Sequence, residues 1–136
     1  MEEKRRMLVE MPIKVHSYDA DYIQIVNNTV YVKWFEDLRM AMLDQYFPLT
    51  EMMKENNTPI LAETYVKYQR SVTLESKPMG RVWLSELGAS KWVAQFEIVE
   101  GDVIYCTGSQ VGYYFNLDRH RPVRFPESFV NIYNSL

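Results

Sequence analysis

The sequence predicts an α+β fold in which one long central helix is wrapped by a curved antiparallel sheet of about five strands. Three observations predict it. From Asn28 onward the chain has a helical period whose apolar face is too wide for a surface helix. One segment with a strand period precedes that helix. Four segments with the two-residue period of strands follow it, with no second long helical pattern among them.

At 136 residues and 47% hydrophobic content, the chain can bury one core and is too short for two. A single domain over residues 1–136 is expected, with a charged tail at 1–9 and a C-terminal tail at 117–136. Met11 to Tyr18 reads as the first strand, with Met11, Ile13 and Val15 on one side and Lys14 and His16 on the other. Ser17 to Ile25 breaks the alternation and sets Asp19 and Asp21 in a loop. Asn27 suits an N-cap, because its short side-chain oxygen can accept from a free first-turn amide.

Within the helix, Val30, Trp34, Leu38, Ala41 and Met42 recur at three- and four-residue spacing. Lys33, Asp37, Met40 and Asp44 form a narrower stripe, and Tyr31 and Phe35 widen the apolar face. Such a helix needs a sheet around it. Phe47 and Pro48 end it, and Leu49 to Asn57 allows one more helical turn.

Ile60 to Glu75 reads as a long strand, and Lys77-Pro78-Met79-Gly80 as a turn. Arg81 to Leu87, Lys91 to Val99 and Val103 to Phe115 complete an expected four-strand meander. Beyond Asn116 the chain reads as irregular and surface-bound until a short helix near Ser128 to Tyr133.

A net charge of −3 with scattered cations leaves no basic stripe, which argues against nucleic-acid binding. The only cysteine, Cys106, sits among Val103, Ile104 and Tyr105 and reads as a packed strand residue. No run approaches the ~18 apolar residues of a membrane span, and MEEKRRMLVE lacks the apolar core of a signal peptide. A cytoplasmic protein without a membrane segment is expected. His16 and His120 lack a third ligand at metal spacing, so neither a metal nor another cofactor is expected.

The stretch from Asp21 through IVNNTVYVKWFEDLR resembles the signature of the 4-hydroxybenzoyl-CoA thioesterase-like acyl-CoA thioesterases, which have the hot-dog fold. Asp21, Val26, Asn27, Asn28, Tyr31, Phe35, Glu36 and Arg39 fall in register with it, and NLDRHRPVRFPESF resembles the family's closing segment. The likeness runs from about Pro12 to about Phe129. Gln24 stands where the family usually has Gly, Ile25 where many members have His, His16 where Arg is common, and Ala20 where Thr often precedes the Asp. Gly at the first of these positions allows a left-handed turn that Gln adopts only at a cost.

The resemblance implies thioester hydrolysis, with Asp21 as nucleophile or general base and the Asn28 amide at the helix start polarising the carbonyl. Gln24, Ile25, Asn27, Tyr31 and Glu36 are the residues it implies for substrate binding or support of the site. Asp19 reads as a solvated turn residue, and as the substitute acid if Asp21 points away. Glu36, among Trp34, Phe35 and Leu38, is expected to be buried and paired with a cation of the sheet or of a second subunit. Lys67, Arg70, Lys91 and Arg119 are scattered cations that could meet CoA phosphates.

The implied partners are an acyl-CoA or acyl carrier protein thioester and a second copy of the chain, in a homodimer or homotetramer. The rival outside enzymes is a protein that keeps the fold and binds acyl-CoA without turnover. A dehydratase or hydratase fits less well, because Ile25 replaces the His such mechanisms use.

Overall fold

A computed structural model describes residues 4–136. It contains β1 (Arg6–Pro12), α1 (Asn28–Tyr46), α2 (Leu49–Met53), β2 (Asn57–Tyr68), β3 (Met79–Leu87), β4 (Lys91–Glu100), β5 (Val103–Asn116), β6 (Arg121–Pro122) and α3 (Glu127–Ser135). The strands form one antiparallel sheet in the order β1-β3-β4-β5-β2, with β6 added against β5. Its concave face wraps α1, as the periodicities predict.

Packing rather than propensity makes α1 a helix. Its first turns carry Val30, Tyr31, Val32, Trp34 and Phe35, which are only middling helix formers. Burial of Val30, Tyr31, Trp34, Phe35, Leu38, Met42 and Leu43 contributes about 1.5–3 kcal/mol for each large side chain, against a few tenths lost in propensity. The sheet is shaped to receive them. Along β5 the inward positions are Cys106, Gly108, Gln110, Gly112 and Tyr114, all buried.

The two glycines there let large rings approach the strand. A Cβ at Gly108 would lie 2.4 Å from Phe35 Cε2, and one at Gly112 would lie 2.2 Å from Trp92 Cζ2. Phe35 then stacks on Phe96 at 4.5 Å between ring centroids. Cys106 is fully buried, and burial pushes its thiol pKa up to about 12, consistent with a packing residue.

Several expectations are corrected. The first strand is Arg6–Pro12, not Met11 to Tyr18, and residues 6–9 of the expected charged tail belong to it; residues 1–3 of that tail lie outside the described residues. Charge disguised this strand. The sheet supplies counter-ions here: Arg5, just before the strand, meets Glu97 at 2.9 Å, and Glu10 within it meets Arg81 at 3.3 Å. A bulge between Arg6 and Val9 also breaks the alternation, and it puts Met7, at φ 58°, into the core.

β2 ends at Tyr68 and pairs with β5 from Asn57↔Asn116 to Tyr68↔Cys106, so it does not join β3 in a four-strand meander. The meander is β3-β4-β5, flanked by β1 and β2. The C-terminal tail is likewise not surface-bound throughout. Phe125, Phe129 and Tyr133 are buried, and Phe125 stacks on Tyr114 at 4.8 Å, closing the end of the core beyond α1.

Candidate active site

The loop before α1 is built by Asp19. Its carboxylate accepts the His16 backbone N–H at 2.8 Å, and its carbonyl accepts the Asn27 N–H at 2.9 Å. Asp19 is therefore a buried loop-building residue, contrary to the expected solvated one. Its Oδ2 is also 3.5 Å from His16 Nδ1.

Ala20 and Val26 then bridge, Asp21 N–H donates to the Ile25 carbonyl at 3.2 Å, and Gln24 N–H donates to the Asp21 carbonyl at 2.9 Å. This small hairpin folds the chain back on itself and carries Asp21 beside the approach to α1. Gln24 occupies the left-handed region at φ 66°. The turn thus has the backbone that favours Gly, and Gln accepts its cost.

Asp21, Tyr22, Ile23 and Gln24 are exposed, with Tyr22 97% accessible. Asp21 points outward and uses Oδ1 to accept the Ile23 N–H at 3.0 Å. One carboxylate oxygen is left without a protein donor among the described residues.

The helix start behaves as its sequence implies. Asn27 is the N-cap, with Oδ1 accepting Thr29 N–H at 2.9 Å and Thr29 Oγ1 at 2.8 Å. The Asn27 carbonyl accepts Val30 N–H at 3.0 Å. Asn28 N–H has no acceptor among the described residues, so it is a free amide at the positive end of a 19-residue helix.

The segment just after β2, expected to continue that strand, instead braces this corner. Val26 N–H donates to the Val72 carbonyl at 2.8 Å, Ile25 bridges Thr73, and Val72 N–H donates to Tyr31 Oη at 3.2 Å. Tyr68 Oη donates to the Asn28 carbonyl at 3.0 Å. Tyr31 is 1% exposed, and burial raises its phenol pKa. It supports the site from beneath rather than lining it.

Glu36 does not fit its expected place. It is exposed and has no side-chain ion pair or hydrogen bond among the described residues, which corrects the buried pair expected with the sheet. The inward-turned charge is Arg39, three residues on, whose guanidinium donates to Gln110 Oε1. Burial pulls the pKa of Arg39 down, and Glu36 opposes that shift. Three residues apart, the two are neighbours around the helix, Arg39 turned toward the sheet and Glu36 toward solvent.

Beside the loop, a groove of about 310 Å³ runs between the end of β1 and α1. Val30 and Trp34 lie along it with Lys14, Lys33 and Asp19. An almost wholly apolar slot lies at the opposite end of α1, between Met42, Met52, Trp92 and Phe129, away from Asp21 and Asn28.

A family model for the thioesterase-like superfamily matches residues 15–132. The chain belongs to the thioesterase-like superfamily. Similar solved structures include the DHNA-CoA thioesterase from Staphylococcus aureus, at 20% identity and TM-score 0.85, covering 94% of this chain and 89% of that one. The protein SAV2348 from Staphylococcus aureus, solved in complex with CoA, is similar at 16% identity and TM-score 0.88, with 99% and 87% covered. Slr0204, a 1,4-dihydroxy-2-naphthoyl-CoA thioesterase from Synechocystis, is similar at 10% identity and TM-score 0.84, with 95% and 97% covered.

At these identities the likeness to solved structures is one of fold, and it agrees with the hot-dog arrangement. A search of curated proteins gives no match. Membership of the thioesterase-like superfamily makes thioester hydrolysis the reaction class of this chain. No helix among the described residues is long and apolar enough to cross a membrane.

Proposed function

We propose that this thioesterase-like protein hydrolyses an acyl-CoA thioester to the free acid and CoA, with Asp21 as base or nucleophile and the Asn28 amide polarising the thioester carbonyl. The observation that carries the reading is the unpaired Asn28 N–H at the start of α1, behind the hairpin that presents Asp21. A preorganised amide there stabilises developing negative charge without having to turn at the moment of reaction. Loss of one such donor costs other enzymes about 3 kcal/mol of barrier.

The groove along Val30 and Trp34, lined also by Lys14, Lys33, Asp19 and Asp37, supports a substrate that is part apolar and part polar. A CoA-bound neighbour of the same fold supports CoA as the carrier; an acyl carrier protein is the alternative. The protein acts as a homo-oligomer on this reading. The edge strand β2 has one backbone edge without a strand partner among the described residues, an edge suited to pairing with a second copy. Its setting is the cytoplasm, where the lone buried Cys106 needs no partner.

The test is thiol release from short, long and aromatic acyl-CoAs by wild type and Asp21→Asn. Loss of a general base predicts a fall of at least about 100-fold in kcat for the variant. Wild type that binds acyl-CoA yet releases no thiol above background would sink the enzyme reading in favour of a binding protein. A fully active Asp21→Asn variant would sink the site assignment alone.

A further inference from the structure

We propose that Tyr68 is a positioning residue for the helix-start amide. This rests on the reading of Asn28 N–H as the group that polarises the thioester. The first turn of a helix is its loosest part, because its amides lack partners inside the helix. An amide that must hold one direction needs its neighbouring peptide groups held too.

Asn27 fixes one side of this turn through its bonds to Thr29. Tyr68 fixes the other. Its hydroxyl donates to the Asn28 carbonyl at 3.0 Å, across 40 residues of sequence, and anchors the turn to the last residue of β2. The Tyr68 ring is held in turn by an edge-on contact with buried Tyr31, at 5.2 Å between centroids.

Three properties separate this arrangement from ordinary core packing. Tyr68 remains 44% exposed, so its hydroxyl is poorly explained by burial. The bond goes to the residue whose own N–H is free. The ring also comes from the edge strand, on the face opposite Tyr65, which is 63% exposed and has no side-chain hydrogen bond among the described residues. Tyr68 therefore acts through Asn28 and needs no contact with the substrate.

The experiment compares wild type, Tyr68→Phe and the control Tyr65→Phe by steady-state thiol release, thermal melting and amide hydrogen exchange read by NMR. Removal of one hydrogen bond predicts a kcat lower by about 3- to 10-fold in Tyr68→Phe. KM and melting temperature should stay near wild type, and exchange at the Thr29 and Val32 amides should be faster. Tyr65→Phe should match wild type throughout.

Unchanged kcat in Tyr68→Phe overturns the proposal, and so does a loss of kcat matched by an equal loss in Tyr65→Phe. A fall in kcat that only tracks a fall in melting temperature marks a structural role and also overturns it. If wild type itself releases no thiol, the thioesterase reading fails. The exchange data then decide the clamp: faster Thr29 and Val32 exchange upholds it, and unchanged exchange removes it.

Discussion

The hydroxyl of Tyr31 accepts the backbone N–H of Val72 at 3.2 Å, with Tyr31 1% and Val72 0% exposed. This bond ties the helix to the segment after β2, and the Val72 carbonyl returns the tie by accepting Val26 N–H at 2.8 Å. In Tyr31→Phe a buried N–H would lose its acceptor without gaining water. The expected loss is about 1–2 kcal/mol of stability, read from urea unfolding midpoints. A loss below about 0.5 kcal/mol would mean that Val72 finds another acceptor and that the brace is looser than drawn.

Gln24 holds φ 66° in the turn that carries Asp21. Replacement by Gly removes the left-handed strain of about 1 kcal/mol, partly offset by the greater freedom of Gly in the unfolded chain. Gln24→Gly is expected to raise the midpoint of unfolding slightly, and Gln24→Ala to leave it near wild type. If Gly lowers stability, the Gln24 side chain contributes an interaction that outweighs its backbone cost.

Glu97 lies between Arg5 and Arg81, each 2.9 Å away, with its side chain 13% exposed. Burial pushes its pKa up, but the bonds from Arg5 and Arg81 outweigh burial and the net shift is downward. The folded pKa is therefore below the unfolded one of about 4.3. The stability this carboxylate contributes is present above that unfolded value and is lost as pH falls through the folded pKa. Urea unfolding of wild type and Glu97→Gln should differ most near neutral pH and converge in acid below about pH 4. A gap that does not narrow in acid would show that packing, rather than charge, makes the difference.

Much of the architecture was legible because it depends on patterns within short reach. The helix from Asn28, its Asn27 cap and the strands at Lys91–Glu100 and Val103–Asn116 follow from periodicity and cap chemistry, which act over a few residues. The edge of the sheet was less legible. Residues 6–9 looked like part of a charged tail because the ion-pair partners of Arg5 and Glu10, which are Glu97 and Arg81, lie more than 70 residues away. Ile60 to Glu75 looked like one strand because Tyr68 and Val72 continue an aromatic and β-branched composition past the point where pairing with β5 stops.

The site divides in the same way. Asp21, Asn27 and Asn28 are proposed from their motif, and the free Asn28 amide agrees with the local rule for helix starts. Asp19 and Glu36 were assigned opposite environments from those they have, one buried and the other exposed. Loop direction and helix rotation against the sheet decide such burial, and spacing alone constrains neither closely.

By itself, then, the sequence determined the central helix, its cap, the turn that presents Asp21 and the family to which the chain belongs, because each is written in contiguous residues. Only the tertiary structure decided the strand order, the left-handed backbone of Gln24 and the bracing of the helix start by Tyr68, Tyr31 and Val72. The bracing bonds join residues 40 and 41 positions apart. They exist only once burial of the α1 apolar face has brought the end of β2 against the first turn of the helix.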